Sequence, residues 1–316
     1  MKKKVTCPAI ILLCIALCLT GCQANPLSPP PENSLSVVDA LGREVLLPLK
    51  PKRVAALLGS FAHVWTLAGG ELCAAAEDAG EDFGIDMQSL ISIGGAHSPN
   101  LELLLSADPD LVLASASTAS HVDMRETLEV LGIPVVYFRV DRFDDYLHML
   151  KICTDLTGRS DLYELNGTRV AGQIRQIKTA YAATTPTEDR RRVLLLRTSS
   201  GSVKAKGSRG TILGEMLADF ACINIADSET VLLETLSLES IMLAQPYRIF
   251  VVTMGNDTEA ALASLQDLME SNSAWGELEA VKAGRIHVMD KTYFNLKPNH
   301  RWGEAYKILY EILVQE

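Results

Sequence analysis

Short runs of consecutive apolar residues alternate along most of this chain with longer stretches where apolar side chains recur every three or four positions. The first pattern suits a strand buried on both faces and the second an amphipathic helix. Their alternation predicts an α/β fold with parallel sheets. RVAALL (53–58), DLVLAS (110–115) and IPVVYF (133–138) read as strands of a first half. FAHVWTLAGG (61–70) and MRETLEVLG (124–132) read as helices, the second closed by Gly132. A long helix is predicted over about 161–182, after which RVLLLR, RIFVV and RIHVM supply the strands of a second half. Ala305, Ile308, Leu309, Ile312 and Leu313 fall at helical spacing and predict an amphipathic closing helix.

One segment occurs twice. NLELLLSADPDLVLAS begins at Asn100 and SLESIMLAQPYRIFVV at Ser237, and a constant offset of 137 pairs Leu101 with Leu238, Glu102 with Glu239, Ala107 with Ala244 and Pro109 with Pro246. Each copy reads as a short helix, a proline break and a buried strand. Each is followed by a helix, a glycine and another strand (EVLGIPVVYF; EAVKAGRIHVMD). General α/β grammar could produce such a likeness, but two similar lobes joined by one long helix is the economical reading. The expected division is an N-terminal lobe at 36–158, a connecting helix at 159–185 and a C-terminal lobe at 186–316. Ligands of α/β sheets bind beyond the carboxyl ends of strands, and clefts between domains are favoured sites.

Ahead of the body, three lysines precede an apolar run from about Val5 to Leu19. That run falls short of the roughly 20 apolar residues a bilayer span needs, and its layout is that of a secretion signal over 1–21. Leu19-Thr20-Gly21-Cys22 resembles the bacterial lipobox, in which cleavage leaves the cysteine as a lipidated N-terminus. The alternative is an ordinary signal peptide that happens to carry Cys22. Acyl chains on Cys22 would anchor the protein to the extracytoplasmic side of the cell membrane, and 22–35, rich in proline, would be its tether.

Composition narrows the partners. The formal charge is −10, near −13 once the leader lysines are removed, which argues against nucleic-acid binding. About 295 residues remain after the leader, enough for two ordinary α/β lobes. The body keeps Cys73, Cys153 and Cys222, far apart and odd in number, which reads as inert thiols rather than a disulfide framework. No CxxC, HExxH, GxSxG or Walker-type loop occurs.

VVDALGREVLLPLKPKRVAAL carries Asp39, Gly42, Arg43, Pro51, Arg53 and Val54 in the order D-x-x-G-R, then P-x-R-V. Together with PNLELLLSADPDLVLAS and WGELEAVKAGRIHVMD, it resembles the class III substrate-binding proteins of ABC transporters, the iron-siderophore, haem and cobalamin type. The likeness spans nearly the whole body. It implies a monomer of two lobes bridged by a rigid helix, with a metal chelate held between them and delivered to an ABC permease and its ATPase. It also implies that Glu102 and Glu239 meet arginines of the permease. The plainer alternative is two acids favoured by helix N-termini.

Candidate ligand contacts lie in the loops after strands. In the first lobe they are Ser60, His63, Trp65, His97 and His121, with His63 foremost because its loop follows the first core strand. Histidine is the commonest metal ligand, yet these three share no ligand spacing, and each could equally be a surface or helix-end residue. The second lobe offers Arg197, Lys204, Lys206 and Arg209, then Tyr293, Asn295, Lys297, Arg301 and Trp302 beside His300. Basic loops in an acidic protein suit an anionic ligand, and their aromatic neighbours suit a flat chelate. Tyr293 or a histidine could ligate a haem iron directly. The expected function is capture of an iron chelate, with a ferric siderophore ahead of haem and haem ahead of a corrinoid, and with no catalysis, cofactor or metal site of the protein's own. The rival is a membrane-anchored extracellular enzyme, which would need a nucleophile–base pair or a metal set.

Overall fold

The computed structural model describes residues 33–228, 230–255 and 257–315. The leader, Cys22 and most of the proline-rich tether lie outside the described residues. Fourteen strands occur among the described residues. They are β1 (Ser34–Val38), β2 (Glu44–Pro48), β3 (Val54–Ala56), β4 (Leu72–Ala75), β5 (Ile91–Ser92), β6 (Gly94–Gly95), β7 (Ser98–Pro99), β8 (Leu111–Ser115), β9 (Val135–Phe138), β10 (Arg192–Ser199), β11 (Ser202–Lys206), β12 (Ile223–Asn224), β13 (Arg248–Thr253) and β14 (Ile286–Met289). β1 therefore begins two residues inside the stretch read as tether.

The first sheet runs β5-β4-β3-β8-β9, parallel throughout. The second runs β11-β10-β13-β14, with β12 beside the start of β10; only β11 is antiparallel. Helices cover both faces of a parallel sheet, so its strands read as unbroken apolar runs. Accordingly every residue of β8, β9 and β13 is buried. Each fully buried leucine or valine there contributes about 1.5–3 kcal/mol of transfer free energy.

The repeat inferred from the sequence is also a repeat of hydrogen bonds. Asn100 Oδ1 caps the helix Leu101–Ser106 by accepting from the Leu103 N–H at 3.1 Å, and Ser237 Oγ caps Leu238–Ala244 by accepting from Ser240 at 3.3 Å. Both helices end at a non-glycine residue with positive φ, Asp108 (46°) and Gln245 (43°), just before the matched prolines. At each end an arginine tops the helix, Arg53 just ahead of β3 in one copy and Arg192 at the start of β10 in the other. Arg53 donates to the carbonyls of Ala107 and Asp108, and Arg192 donates to that of Ala244 through Nε (3.1 Å) and Nη2 (2.8 Å). A charged donor at the last carbonyls complements the negative helix end.

The D-x-x-G-R turn is explained locally. Gly42 has φ +77°, which a side chain would disfavour, and the Asp39 carboxylate accepts from the backbone of Leu41 (2.9 Å) and Arg43 (3.0 Å). The Arg43 guanidinium, paired with Asp39 and Glu129, stacks 4.9 Å from the centre of the Tyr137 ring, which fastens the β1–β2 hairpin to β9.

One helical element spans 160–182, including a π-turn at Glu164–Thr168. At 1.5 Å per residue it is about 35 Å long. The π-turn lets Asn166 donate its side-chain amide to the Leu67 carbonyl (3.0 Å), while the Asn166 carbonyl accepts from Tyr146 Oη (2.9 Å). Both bonds hold the helix to the first lobe. Its later part packs on the closing helix Trp302–Val314. Cys73, Cys153 and Cys222 are thiols, each pushed above the usual thiol range by burial. No helix among the described residues is long and apolar enough to cross a membrane.

Candidate functional site

A cleft of about 610 Å³ opens where the carboxyl ends of both sheets face each other. The loops after β3, β4, β8 and β9 form one wall, and those after β13 and β14, with Arg197 of β10, form the other. This is where parallel α/β sheets offer loops free to take up ligand.

The first wall is built on a close backbone approach. A methyl group on Gly59 would lie 2.5–2.7 Å from backbone atoms of Asp78 and Ala79, so only glycine lets the helix Gly59–Leu67 meet the turn after β4. Both carboxylate oxygens of Asp78 then accept from the Gly59 N–H at 2.9 Å. The protein's own carboxylate thus occupies the positive end of that helix. Burial, followed by the charges of Asp82 and Glu81, pushes Asp78 above the usual carboxylate range. Next to it, Ser60 is 2% exposed and its Oγ has no hydrogen-bond partner. Glu77, Glu81, Asp82 and Phe83 continue this wall, and Asp141 enters from the loop after β9. Hydroxyls of Ser115, Ser117 and Thr118 line the part after β8.

The second wall is cationic. Arg197 is half-buried, its Nε has no partner, and burial lowers its pKa. Burial also lowers Lys297, which lies near Asp141, Arg197 and Asp78 and forms no ion pair among the described residues. Lys291 crosses the cleft to Asp82 at 3.0 Å. All five lining carboxylates therefore belong to the first half of the chain, and all three lining cations to the second.

Of the residues the sequence nominated, Ser60, His97, Arg197, Asn295 and Lys297 line this cleft. The others do not line it, for identifiable reasons. Trp65 was expected in a cleft loop but lies on the core face of the helix Gly59–Leu67, 1% exposed, and its indole N–H donates to the Glu71 carbonyl at 2.8 Å. Trp302 heads the closing helix, is fully buried and packs on Phe143 and Tyr306. His121 is fully buried: Nδ1 accepts from the Ser115 N–H (3.1 Å), so Nε2 is the protonated nitrogen and donates to the Ala96 carbonyl (2.7 Å). Both ring nitrogens are used, and burial lowers its pKa.

His63 sits where the lobes touch. Its Nδ1 lies 3.1 Å from the side-chain nitrogen of Asn299, which also donates to the Ser60 carbonyl (3.0 Å), and its ring is 5.3 Å from that of His300. Burial, with His300 and Arg301 nearby, pushes it down to about 4. Tyr293 and Arg301 satisfy one another: the guanidinium lies 4.0 Å over the Tyr293 ring, and Glu304 takes both the Tyr293 hydroxyl (2.8 Å) and Arg301 Nε (3.3 Å). Lys204 and Lys206 lie on β11, with Lys204 opposite Arg197, and Arg209 is exposed beyond that strand. Glu102 and Glu239 are exposed in the first turns of their capped helices.

Sequence reading missed the acidic wall. Its source strand is LCAA, three small residues and a leucine, too short and weakly apolar to register as a strand. Once β4 is recognised, Glu77 and Asp78 follow from their place at its carboxyl end. No group of three or more histidine, cysteine, aspartate or glutamate side chains suited to a metal ion occurs among the described residues.

Two sheets of mainly parallel strands around a shared cleft lined by opposed charges form a place where a ligand can be held. Residues 62–293 match the periplasmic binding protein family, and the chain belongs to that family. No curated protein matches it in sequence. Among solved structures, Staphylococcus aureus SirA complexed with staphyloferrin B is similar with a TM-score of 0.68 and 21% identity, covering 89% of this chain and 99% of SirA. The periplasmic heme-binding protein RhuT from Roseiflexus sp. RS-1 in apo form aligns with a TM-score of 0.66 and 19% identity over 83% of this chain and 97% of its own. The vitamin B12 binding protein BtuF of Vibrio cholerae has a TM-score of 0.66 and 16% identity over 84% and 98%.

Proposed function

We propose that this protein is the substrate-binding component of an ABC importer and that its cargo is an iron chelate, a ferric siderophore before haem or a corrinoid. The observation that carries the reading is the cleft's lining. Arg197 and Lys297 stand there without ion-pair partners among the described residues, beside hydroxyls from Ser60, Ser115, Ser117 and Thr118, while Phe83 is the one Phe, Tyr or Trp side chain of that lining. Chelating oxygens with residual negative charge accept hydrogen bonds from such cations and hydroxyls. A porphyrin or corrin ring would be better served by broad aromatic walls, and Trp65 and Trp302 are turned into the core.

Acyl chains on Cys22 hold the protein at the outer face of the cell membrane, and the prolines after it keep the body clear of the surface. Glu102 and Glu239, one on each lobe at matched positions, meet cationic groups of the permease and set the orientation of docking. The reading assigns no reaction to the chain, since transport would draw on ATP hydrolysis by its partners.

The test is isothermal titration calorimetry with ferric hydroxamate, ferric catecholate, ferric carboxylate chelate, haemin, cobalamin and uncomplexed iron. Saturable binding of one siderophore class at micromolar concentration or below, with no response to uncomplexed iron, is the expected result. Binding of haemin or cobalamin alone would replace the siderophore with that ligand, and silence across the panel on folded protein would overturn the reading.

A further inference from the structure

The opposed charges of the cleft are not explained by an anionic cargo alone. A wholly anionic ligand would be held by Arg197 and Lys297 but would face Glu77, Asp78 and Glu81 on the other wall, where Asp82 is paired with a cation of the second wall, Lys291. The N-terminus of the helix Gly59–Leu67, which could have received its charge on this wall, is already filled by the Asp78 carboxylate. Two further observations indicate what this wall accepts. Phe83 lies among the carboxylates, and an aromatic face beside acids is the chemistry that binds an alkylammonium. Ser60, buried to 2% exposure and next in the chain to Gly59, lines the cleft, and its partnerless hydroxyl has lone pairs open to a donor.

We infer that the wall formed by Glu77, Asp78, Glu81 and Phe83, with the Ser60 hydroxyl, receives a protonated amine of the ligand, so that the cargo carries an ammonium arm toward the first lobe and chelating oxygens toward Arg197 and Lys297. This rests on the chelate reading for the second half of the statement only. The ammonium site stands on the first wall by itself. Burial and neighbouring acids that raise the Asp78 pKa agree with a site completed by a cation. An ammonium is shared by amine-bearing chelates and by simple amines, and the experiment separates them.

The experiment is a matched-pair titration of the purified protein by calorimetry. The probes are a linear ferric trihydroxamate with a free terminal amine, the same chelate N-acetylated, and an alkyl diamine without iron; the pair is repeated on catecholate and carboxylate chelates. The amine form is expected to bind at least tenfold more tightly than its acetylated partner. In Glu77→Gln/Glu81→Gln the preference should fall below threefold. Both side chains are exposed, and a thermal melt confirms that the variant folds. Equal affinity within the pair, tighter binding of the acetylated form, or a preference that survives the double substitution overturns the inference. If no chelate binds but the diamine does, and the variant abolishes it, the ammonium site holds while the chelate reading fails. No response to chelates or diamine overturns both.

Discussion

Replacing Arg197 with methionine separates a binding role from a structural one, because the two predict opposite changes. In the unliganded protein the Arg197 guanidinium is half-buried, its Nε has no partner, and burial opposes its charge. Lys204 lies opposite it across the strand pair, and both Lys206 and Lys297 are held down in part by its charge. No carboxylate lies within ion-pairing distance of it among the described residues. Methionine keeps much of the stem's apolar volume and removes the unpaired charge, so stability should stay the same or rise by up to about 1 kcal/mol. For a chain of this size that is a melting-temperature increase of about 2 °C or less. Ligand binding should move the other way. A hydrogen bond from a charged donor is worth about 1.5–3 kcal/mol, a loss of roughly ten- to 150-fold in Kd. Thermal melting without ligand and calorimetry with it supply the two numbers. Lys297→Met should weaken the same ligand, and the two losses should not add if both cations grip one anionic group. A variant destabilised by more than about 1 kcal/mol would make Arg197 a structural residue, and an affinity unchanged within threefold would remove it from the site.

Three further outcomes are expected. Glu102→Ala/Glu239→Ala should abolish uptake into cells while leaving chelate affinity intact; a parallel loss of affinity would show that these exposed acids do not serve docking alone. Arg192→Ala removes both hydrogen bonds to the Ala244 carbonyl and should cost about 1–3 kcal/mol in chemical denaturation, whereas a cost below about 0.5 kcal/mol would mean that the arginine over the second-lobe helix is dispensable. His63 has a folded-state pKa of about 4 against an ordinary 6.5, so the unfolded chain takes up its proton first as pH falls. Stability is therefore full above about pH 6.5 and declines toward pH 4. His63→Gln should flatten that decline in melting curves between pH 7.5 and 4.5, though His121, His287 and His300, also lowered by burial, will preserve part of it.

Much of the architecture is set by the order of apolar and polar residues. Strands buried on both faces must be apolar throughout, so β8, β9 and β13 announce themselves, the apolar runs within β10 and β14 mark those strands too, and the repeat at Asn100 and Ser237 extends in the fold to its caps, positive-φ residues and topping arginines. The long helix over 160–182 is equally plain from its period. The cleft is a different matter. A segment such as GSFAHVW follows a strand, but it is helical, and with 3.6 residues per turn only one face can look into the cleft. That face carries Ser60, while Trp65 turns into the core and His63 toward the other lobe. The opposing partner of Ser60 and His63 is Asn299, 239 and 236 residues away along the chain, a separation over which local pattern carries no information. The acidic wall depends on a strand of small residues and on the absence of a side chain at Gly59, neither of which has a hydrophobic signature. Sequence by itself determined the lobes, their repeat and their link, because each is a periodicity of burial. Which charges face one another across the cleft was decided only when the two sheets were brought end to end.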